Sequence, residues 1–272
     1  MNQNVRATII GIRNILLGAN LRSLAKLVNP RQLAFYSTQA LFFYDCLFRN
    51  GLAVKNVREV LPHREYEDVT FFLASDDFWI NDVPSGGSDL LSLCLITRLV
   101  QPKRIFEIGT ARGYTALQFA ANAPDAEVFT LDLPQDAGTV LPITVMDRRF
   151  AGVEKGASLQ GRKEAGRIHR LLGDSATFDF SPYSRSIDLF FIDGAHTYEY
   201  VKNDTLKALE CCHEGSVIIW HDYGRRGVNG VTRWLNVFTR SHFPVYRVPN
   251  GSLAYGLYGS ESGSQQRRAI CP

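Results

Sequence analysis

Two short runs hold the residues best suited to moving protons or holding ions, Asp193-Gly-Ala-His196 and Trp220-His221-Asp222-Tyr223. Asp193, His221 and Asp222 offer two carboxylates and one imidazole. If their strands are neighbours, about 4.8 Å apart, that set suits a hard divalent ion such as Mg²⁺ or Mn²⁺. A proton-transfer site without metal is the alternative, and His221 also fits a hydrogen-bonded core histidine. His196 has an ordinary pKa of about 6.5 and can take a proton from a hydroxyl at neutral pH. Its alternative role is to cap or brace the helix that follows. Asp204, eight residues on, would share its helical face and orient it.

A second group points to a nucleotide-like ligand. Glu107-Ile-Gly109-Thr110-Ala-Arg-Gly113-Tyr114-Thr115 is a glycine turn between a strand-like and a helix-like run. Such a turn allows close backbone approach, and the next helix directs its free N–H groups at the ligand. The GxxxG spacing is neither the GxGxxG of nicotinamide folds nor a Walker loop. Glu107 would repel a pyrophosphate and receive an ammonium group. Asp132, 19 residues beyond Gly113, can accept from ribose hydroxyls, and Gly173-Asp174-Ser175 forms a third turn. Together these describe a nucleoside across the strand ends, with a cationic amino-acid end near Glu107. Each has a plain helix-capping or turn-forming alternative.

The elements that must position these residues alternate. Strand-like runs occupy 104–108, 127–131, 168–172, 187–192 and 216–220, with helices over 115–123, near 160–168, over 198–212 and over 228–240. Residues 245–248 and 253–258 flank Pro249-Asn250-Gly251, a hairpin signal. Ser88-Asp89 caps a buried helix over 90–100, and residues 51–87 read as irregular. This grammar predicts an α/β protein with a Rossmann-like, doubly wound seven-stranded sheet, mostly parallel with a C-terminal antiparallel hairpin, plus an N-terminal helical extension. Ligands of such sheets bind beyond the carboxyl ends of the strands. The expected organisation is an extension over 1–83, serving as lid or dimer contact, one domain over 84–259 and a tail over 260–272.

Composition narrows the class. Apolar residues make up 45% and charged residues 21%, which excludes a disordered chain, a fibre and a disulfide scaffold. A net charge of +3 is too weak a bias for a nucleic-acid partner. Cysteines at 46, 94, 211, 212 and 271 form no CxxC pair, and their odd number fits reduced thiols in a cytoplasmic protein. Residues 1–44 carry Arg6, Arg13, Arg22, Lys26 and Arg31 and no acid, with Val5, Ile9, Ile12 and Leu16 at helical spacing. Charges interrupt this run too often for a membrane span of about 20 residues. It reads as a helix packed on the body or on a second subunit of a homodimer, as a basic helix on a membrane surface, or as an organelle transit peptide.

The motifs at the strand ends resemble those of the class I S-adenosylmethionine-dependent methyltransferases over about residues 84–259. Within that class, Glu107 to Thr115 is similar to the first motif of the catechol, caffeoyl-CoA and macrocin-type O-methyltransferases. The resemblance implies that the glycine turn and Thr115 hold the methionine end of S-adenosylmethionine, that Asp132 holds the ribose, and that Gly173-Asp174-Ser175 borders the adenine. It implies a divalent metal, Mg²⁺ foremost, at Asp193, His221 and Asp222, with the imidazole departing from the usual acid at the first position of the pair. It also implies a proton-accepting base at His196. The acceptor would be a small molecule: a sugar hydroxyl, a catechol or a secondary metabolite. A metal-dependent hydroxylase related to the cephalosporin-modifying enzymes, and a non-catalytic binding protein, remain as other readings of the same motifs.

Overall fold

Arg104-Ile-Phe-Glu-Ile108 must hide side chains on both faces, and the structure places it in the middle of a sheet. This computed structural model describes residues 51–61, 68–72, 86–225, 228–249 and 251–260. The chain divides into two units, Met1–Gly51 and Leu52–Pro272, and the second is described below. The helices expected over 1–50 and the tail after 260 lie outside the described residues.

In chain order the elements are β1 (Ala53–Val54), α1 (Gly86–Val100), β2 (Arg104–Ile108), α2 (Tyr114–Asn122), β3 (Glu127–Asp132), α3 (Val145–Ala151), β4 (Ile168–Leu172), β5 (Ile187–Ile192), α4 (Tyr198–Cys211), β6 (Cys212–Trp220), α5 (Asn229–Ser241), β7 (Tyr246–Arg247) and β8 (Ala254–Leu257). Among the described residues these form one eight-stranded sheet of order β1-β7-β8-β6-β5-β2-β3-β4. β8 alone runs antiparallel, against β6 and β7. The mostly parallel sheet with its terminal hairpin is as the sequence implies. The eighth strand is β1, two residues in the stretch read as irregular, paired with β7 through Ala53↔Tyr246. A two-residue strand has no period to detect. The helix expected near 160–168 is instead a pair of 3₁₀ turns, Ala157–Leu159 and Lys163–Arg167, while α3 lies in the stretch left unassigned. The helix expected from residue 90 begins at Gly86, so Asp89 lies in its first turn rather than capping it.

Side chains alternate across the strands, and both faces are covered. On one face Phe106, Phe190, Ile192, Ile218 and Trp220 pack against Val201 of α4 and Val231, Leu235 and Phe238 of α5. On the other, Ile105, Val128, Leu189, Phe191 and Ile219 pack against Leu93 and Ile96 of α1 and Leu117 and Phe119 of α2. From β2 the chain winds out through β3 and β4, then returns to β5 on the other side of β2. This reversal opens a crevice at the ends of β2 and β5. Among the described residues no helix is long and apolar enough to cross a membrane.

The inward face of α4 carries two polar residues. Thr205 Oγ1 donates to Val201 O and accepts from the indole N–H groups of both Trp220 and Trp234. Thr205→Val keeps the shape and strands two buried donors, each costing about 1–3 kcal/mol. Urea unfolding should show a loss of about 2–6 kcal/mol with an unchanged m-value; a loss under about 0.5 kcal/mol would mean that the indoles find other partners. Asp204 is fully buried, and burial pushes its carboxyl up to about 7 against hydrogen bonds from Ser175 and Asn203 that favour the anion. A carboxyl raised in the folded state holds its proton there while the unfolded chain has lost it. Its contribution is therefore complete below about pH 4 and is lost as pH rises through 7. Relative to wild type, Asp204→Asn should gain about 1.4 kcal/mol per pH unit across that window. A pH-independent difference would show that Asp204 is already ionised there.

Candidate active site

The carboxyl ends of β2 to β6 open onto one cavity of about 290 Å³. Gly109, Thr110, Tyr114, Thr115, Asp132, Asp174, Ser175, Asp193, His196, His221 and Asp222 all line it, whereas Glu107 and Gly113 do not. Gly109 has φ +108°, and a Cβ there would run into the carbonyl of Asp193. Only glycine lets the β2 turn lie against the end of β5. Gly113, at φ +84°, caps α2 and backs onto the Leu159 side chain rather than the cavity.

Asp132, at the end of β3, shapes the glycine turn. Its Oδ2 accepts from the Ala111 N–H (2.7 Å) and pairs with Lys155 Nζ at 3.0 Å. Its Oδ1 accepts from the Leu133 N–H (2.7 Å). Ala111 itself sits at φ +42°, and this hydrogen bond holds it there. A carboxylate can accept about four hydrogen bonds, so capacity remains for one ligand hydroxyl rather than a pair. Asp174 Oδ1 accepts from Ala176 N–H, Oδ2 from Val140 N–H, and the Tyr200 hydroxyl lies 2.9 Å from both oxygens. It ties the 137–141 segment and α4 to the β4 turn.

Glu107 requires a correction. It was expected to meet an ammonium group, but it points to the helix-covered face of β2 and is fully buried. Thr130 Oγ1 donates to its Oε2, and Thr110 Oγ1 lies 2.7 Å from Thr130 Oγ1. Burial pushes its carboxyl well above the usual range, with Asp193 and Asp132 adding to the rise. It lies beneath the cavity and does not line it.

The other half of the cavity is an interleaved set of acids and imidazoles. His196 Nδ1 lies 2.6 Å from Asp147 Oδ1, and its Nε2 lies 3.1 Å from Asp222 Oδ2. His221 Nδ1 lies 3.0 Å from Asp193 Oδ1 and 3.3 Å from Asp222 Oδ1, and its Nε2 lies 3.5 Å from Asp89 Oδ2. Arg225 Nη1 pairs with Asp222 Oδ1 at 2.9 Å. Ionised carboxylates only accept, so a ring between two of them donates from both nitrogens and is an imidazolium. The electrostatics agree. Burial alone would lower the pKa of His196, but hydrogen bonds to Asp147 and Asp222 and the charges of Asp222 and Asp193 hold it up to about 10. Burial likewise opposes the charge on His221, and Asp193, Asp89 and Asp222 hold it well above the ordinary value. Burial would raise Asp222, yet His196, His221 and Arg225 hold it far below the carboxylate range.

Asp193, His221 and Asp222 thus converge as expected, but not as a metal shell. Among the described residues no group of three or more His, Cys, Asp or Glu side chains is disposed to hold a metal ion. Their facing oxygens are engaged by imidazole and guanidinium N–H groups, so the donor set does not fit a hard cation. Asp204, expected to orient His196, accepts instead from Asn203 Nδ2, and Asp147 takes that place. Sequence reasoning also missed Asp89, Lys155 and Arg225. Asp147 did carry a signal, the Thr144-x-x-Asp147 capping pattern at the start of α3. Lys155 and Arg225 carried none.

Residues 106–223 match a family model described as a methyltransferase domain. Among solved structures, the chain is similar to the O-methyltransferase TomG of Streptomyces achromogenes, involved in tomaymycin synthesis and bound to S-adenosylmethionine, at 21% identity and a TM-score of 0.45, over 66% of this chain and 85% of that one. It is similar to the methyltransferase PaMTH1 of Podospora anserina, bound to S-adenosylhomocysteine, at 18% identity and TM-score 0.45, over 66% and 84%. It is also similar to an O-methyltransferase of Bacillus cereus in complex with S-adenosylhomocysteine, at 19% identity and TM-score 0.43, over 66% and 84%. The glycine turn, Asp132, Asp193, His196, His221 and Asp222 all fall within residues 106–223, the span that matches the methyltransferase-domain model.

Proposed function

We propose that the chain transfers the methyl group of S-adenosylmethionine to a hydroxyl oxygen of a small-molecule acceptor, with His196 as the proton acceptor. One observation carries this reading: the strand-end residues Gly109, Thr110, Asp132 and Asp174 line a single cavity together with a buried imidazole–carboxylate cluster. The cofactor supplies an electrophilic methyl group on a sulfonium. The turn over Gly109–Thr115 and Asp132 hold it, and Asp132 has room to accept from one ribose hydroxyl. The cluster pairs the acids Asp89, Asp147, Asp193 and Asp222 with three cations, His196, His221 and Arg225, leaving an excess negative charge that a sulfonium complements.

The acceptor oxygen must lie in line with the methyl–sulfur bond and lose its proton as the carbon–oxygen bond forms. His196 faces the cavity beside Asp193 and Asp222 and is placed to take that proton. In the resting site it is an imidazolium, so it must first release its own. The incoming sulfonium is a like charge and lowers the ring's pKa toward neutrality. The metal-dependent hydroxylase reading gains no support from the matched family or from the donor set.

S-adenosylmethionine and S-adenosylhomocysteine should raise the melting temperature, by an amount equivalent to about 2.7 kcal/mol at a hundredfold excess over Kd. Asp132→Ala should remove most of that shift. A shift with NADH and none with the sulfonium nucleoside would sink the cofactor assignment.

His196→Ala should lower kcat by roughly 10²–10⁴ with little change in cofactor affinity. The wild-type rate should rise with pH, since the base works deprotonated, with its limb between the ordinary imidazole value and about 10. Exhaustive chelation should leave turnover unchanged. Activity lost on chelation and restored by Mg²⁺ would return the role to an ion, and cofactor binding with no turnover of any hydroxyl acceptor would favour the non-catalytic alternative.

A further inference from the structure

His196 is held from three directions. Its backbone is clamped by α5, where a Cβ on Gly230 would collide with the His196 carbonyl and the Tyr198 nitrogen. Its Nε2 faces Asp222 at the end of β6. Its Nδ1 faces Asp147, which belongs to α3, an element that contributes nothing to the sheet.

Asp147 uses its two oxygens for two tasks. Oδ2 accepts from the Thr144 N–H at 2.7 Å, and Thr144 Oγ1 accepts from the Asp147 N–H at 3.1 Å, closing a capping box on α3. A capping box needs only that one oxygen. Oδ1 is turned to His196 Nδ1 at 2.6 Å, with the Asp147 side chain only 6% exposed. The same helix carries Phe150 and Ala151 into the cavity wall. A second tie runs alongside, where Thr197 Oγ1 donates to Pro142 O at 2.8 Å.

We propose that Asp147 is a positioning residue for methyl transfer, fixing the His196 ring through Nδ1 so that Nε2 alone serves the reacting hydroxyl, and coupling that ring to the helix that walls the cavity. The proposal rests on the reading of His196 as the base. Its physical content is a choice of nitrogen. A neutral imidazole has one N–H; carboxylates stand at both nitrogens, and the shorter contact, 2.6 Å to Asp147 against 3.1 Å to Asp222, keeps the proton on Nδ1. Without the Asp147 carboxylate, Asp222 is the remaining partner and holds the proton on Nε2, where the ring cannot accept another.

The test compares Asp147→Asn with Thr144→Ala in the full chain, and with His196→Ala as reference. Nitrogen chemical shifts of the His196 ring report the tautomer directly, without turnover. Asp147→Asn should shift the Nδ1 signal, lower kcat roughly 10- to 100-fold and leave KM for S-adenosylmethionine within about threefold. Thr144→Ala breaks the cap while keeping the Asp147–His196 contact. It should reduce stability but leave the ring signals and kcat near wild type, and Asp147→Glu should restore part of kcat. If Asp147→Asn matches Thr144→Ala in both ring signals and kcat, Asp147 is only a helix cap and the proposal is overturned. A ring shift in Asp147→Asn, with His196→Ala fully active, would overturn the base assignment instead and keep Asp147 only as the anchor of that ring.

Discussion

The parallel pairing of β2 with β5 is the constraint on which the rest depends. It sets Ile108 against Ile192, so that the turns leaving the two strands touch. The Asp193 N–H donates to Ile108 O, and Gly109 lies against the Asp193 carbonyl. A residue with a Cβ at 109 would push the turns apart. The glycine turn and the acid cluster are therefore one site rather than two, and both inherit the rigidity of strands buried on each face.

Electrostatics completes the site. Asp89, Asp147 and Asp222 are almost wholly buried, and an unpaired buried carboxylate costs several kcal/mol. The two imidazoles and Arg225 offset that cost by standing between the acids. Because His196 serves two carboxylates and His221 three, the cluster is interlocked: loss of one member leaves a neighbour unpaired. Asp89 extends the network to the hairpin, accepting from Ser252 N–H and Oγ–H while facing His221. Asp147 extends it to α3. The cavity is thereby fixed by elements far apart in the chain.

The burial that supports the sheet also explains the two places where charge was misjudged. Glu107 lies on the same face as Ile105, so the strand alternation that buries Ile105 buries the acid too and pushes its carboxyl up. His196, with an ordinary imidazole pKa in free peptide, becomes a cation once Asp147 and Asp222 bracket it. A pKa belongs to an environment, and neither environment was present in the local sequence.

The sequence by itself determined the alternation of strand and helix, the hairpin at the carboxyl end, and the position of each glycine turn and acid one or two residues past a strand. These follow from local periods and from turn chemistry, which neighbouring residues encode. It also placed His196, Asp193, His221 and Asp222 together, because strand ends in a parallel sheet meet on one edge. Only the tertiary structure decided that Asp147 rather than Asp204 holds His196, that Lys155 pairs with Asp132, that Asp89 reaches His221, and that two residues near 53 add a strand. These depend on where α1, α3 and the 3₁₀ turns pack, and the hydrogen bonds involved join residues brought together by burial rather than by any repeating spacing along the chain.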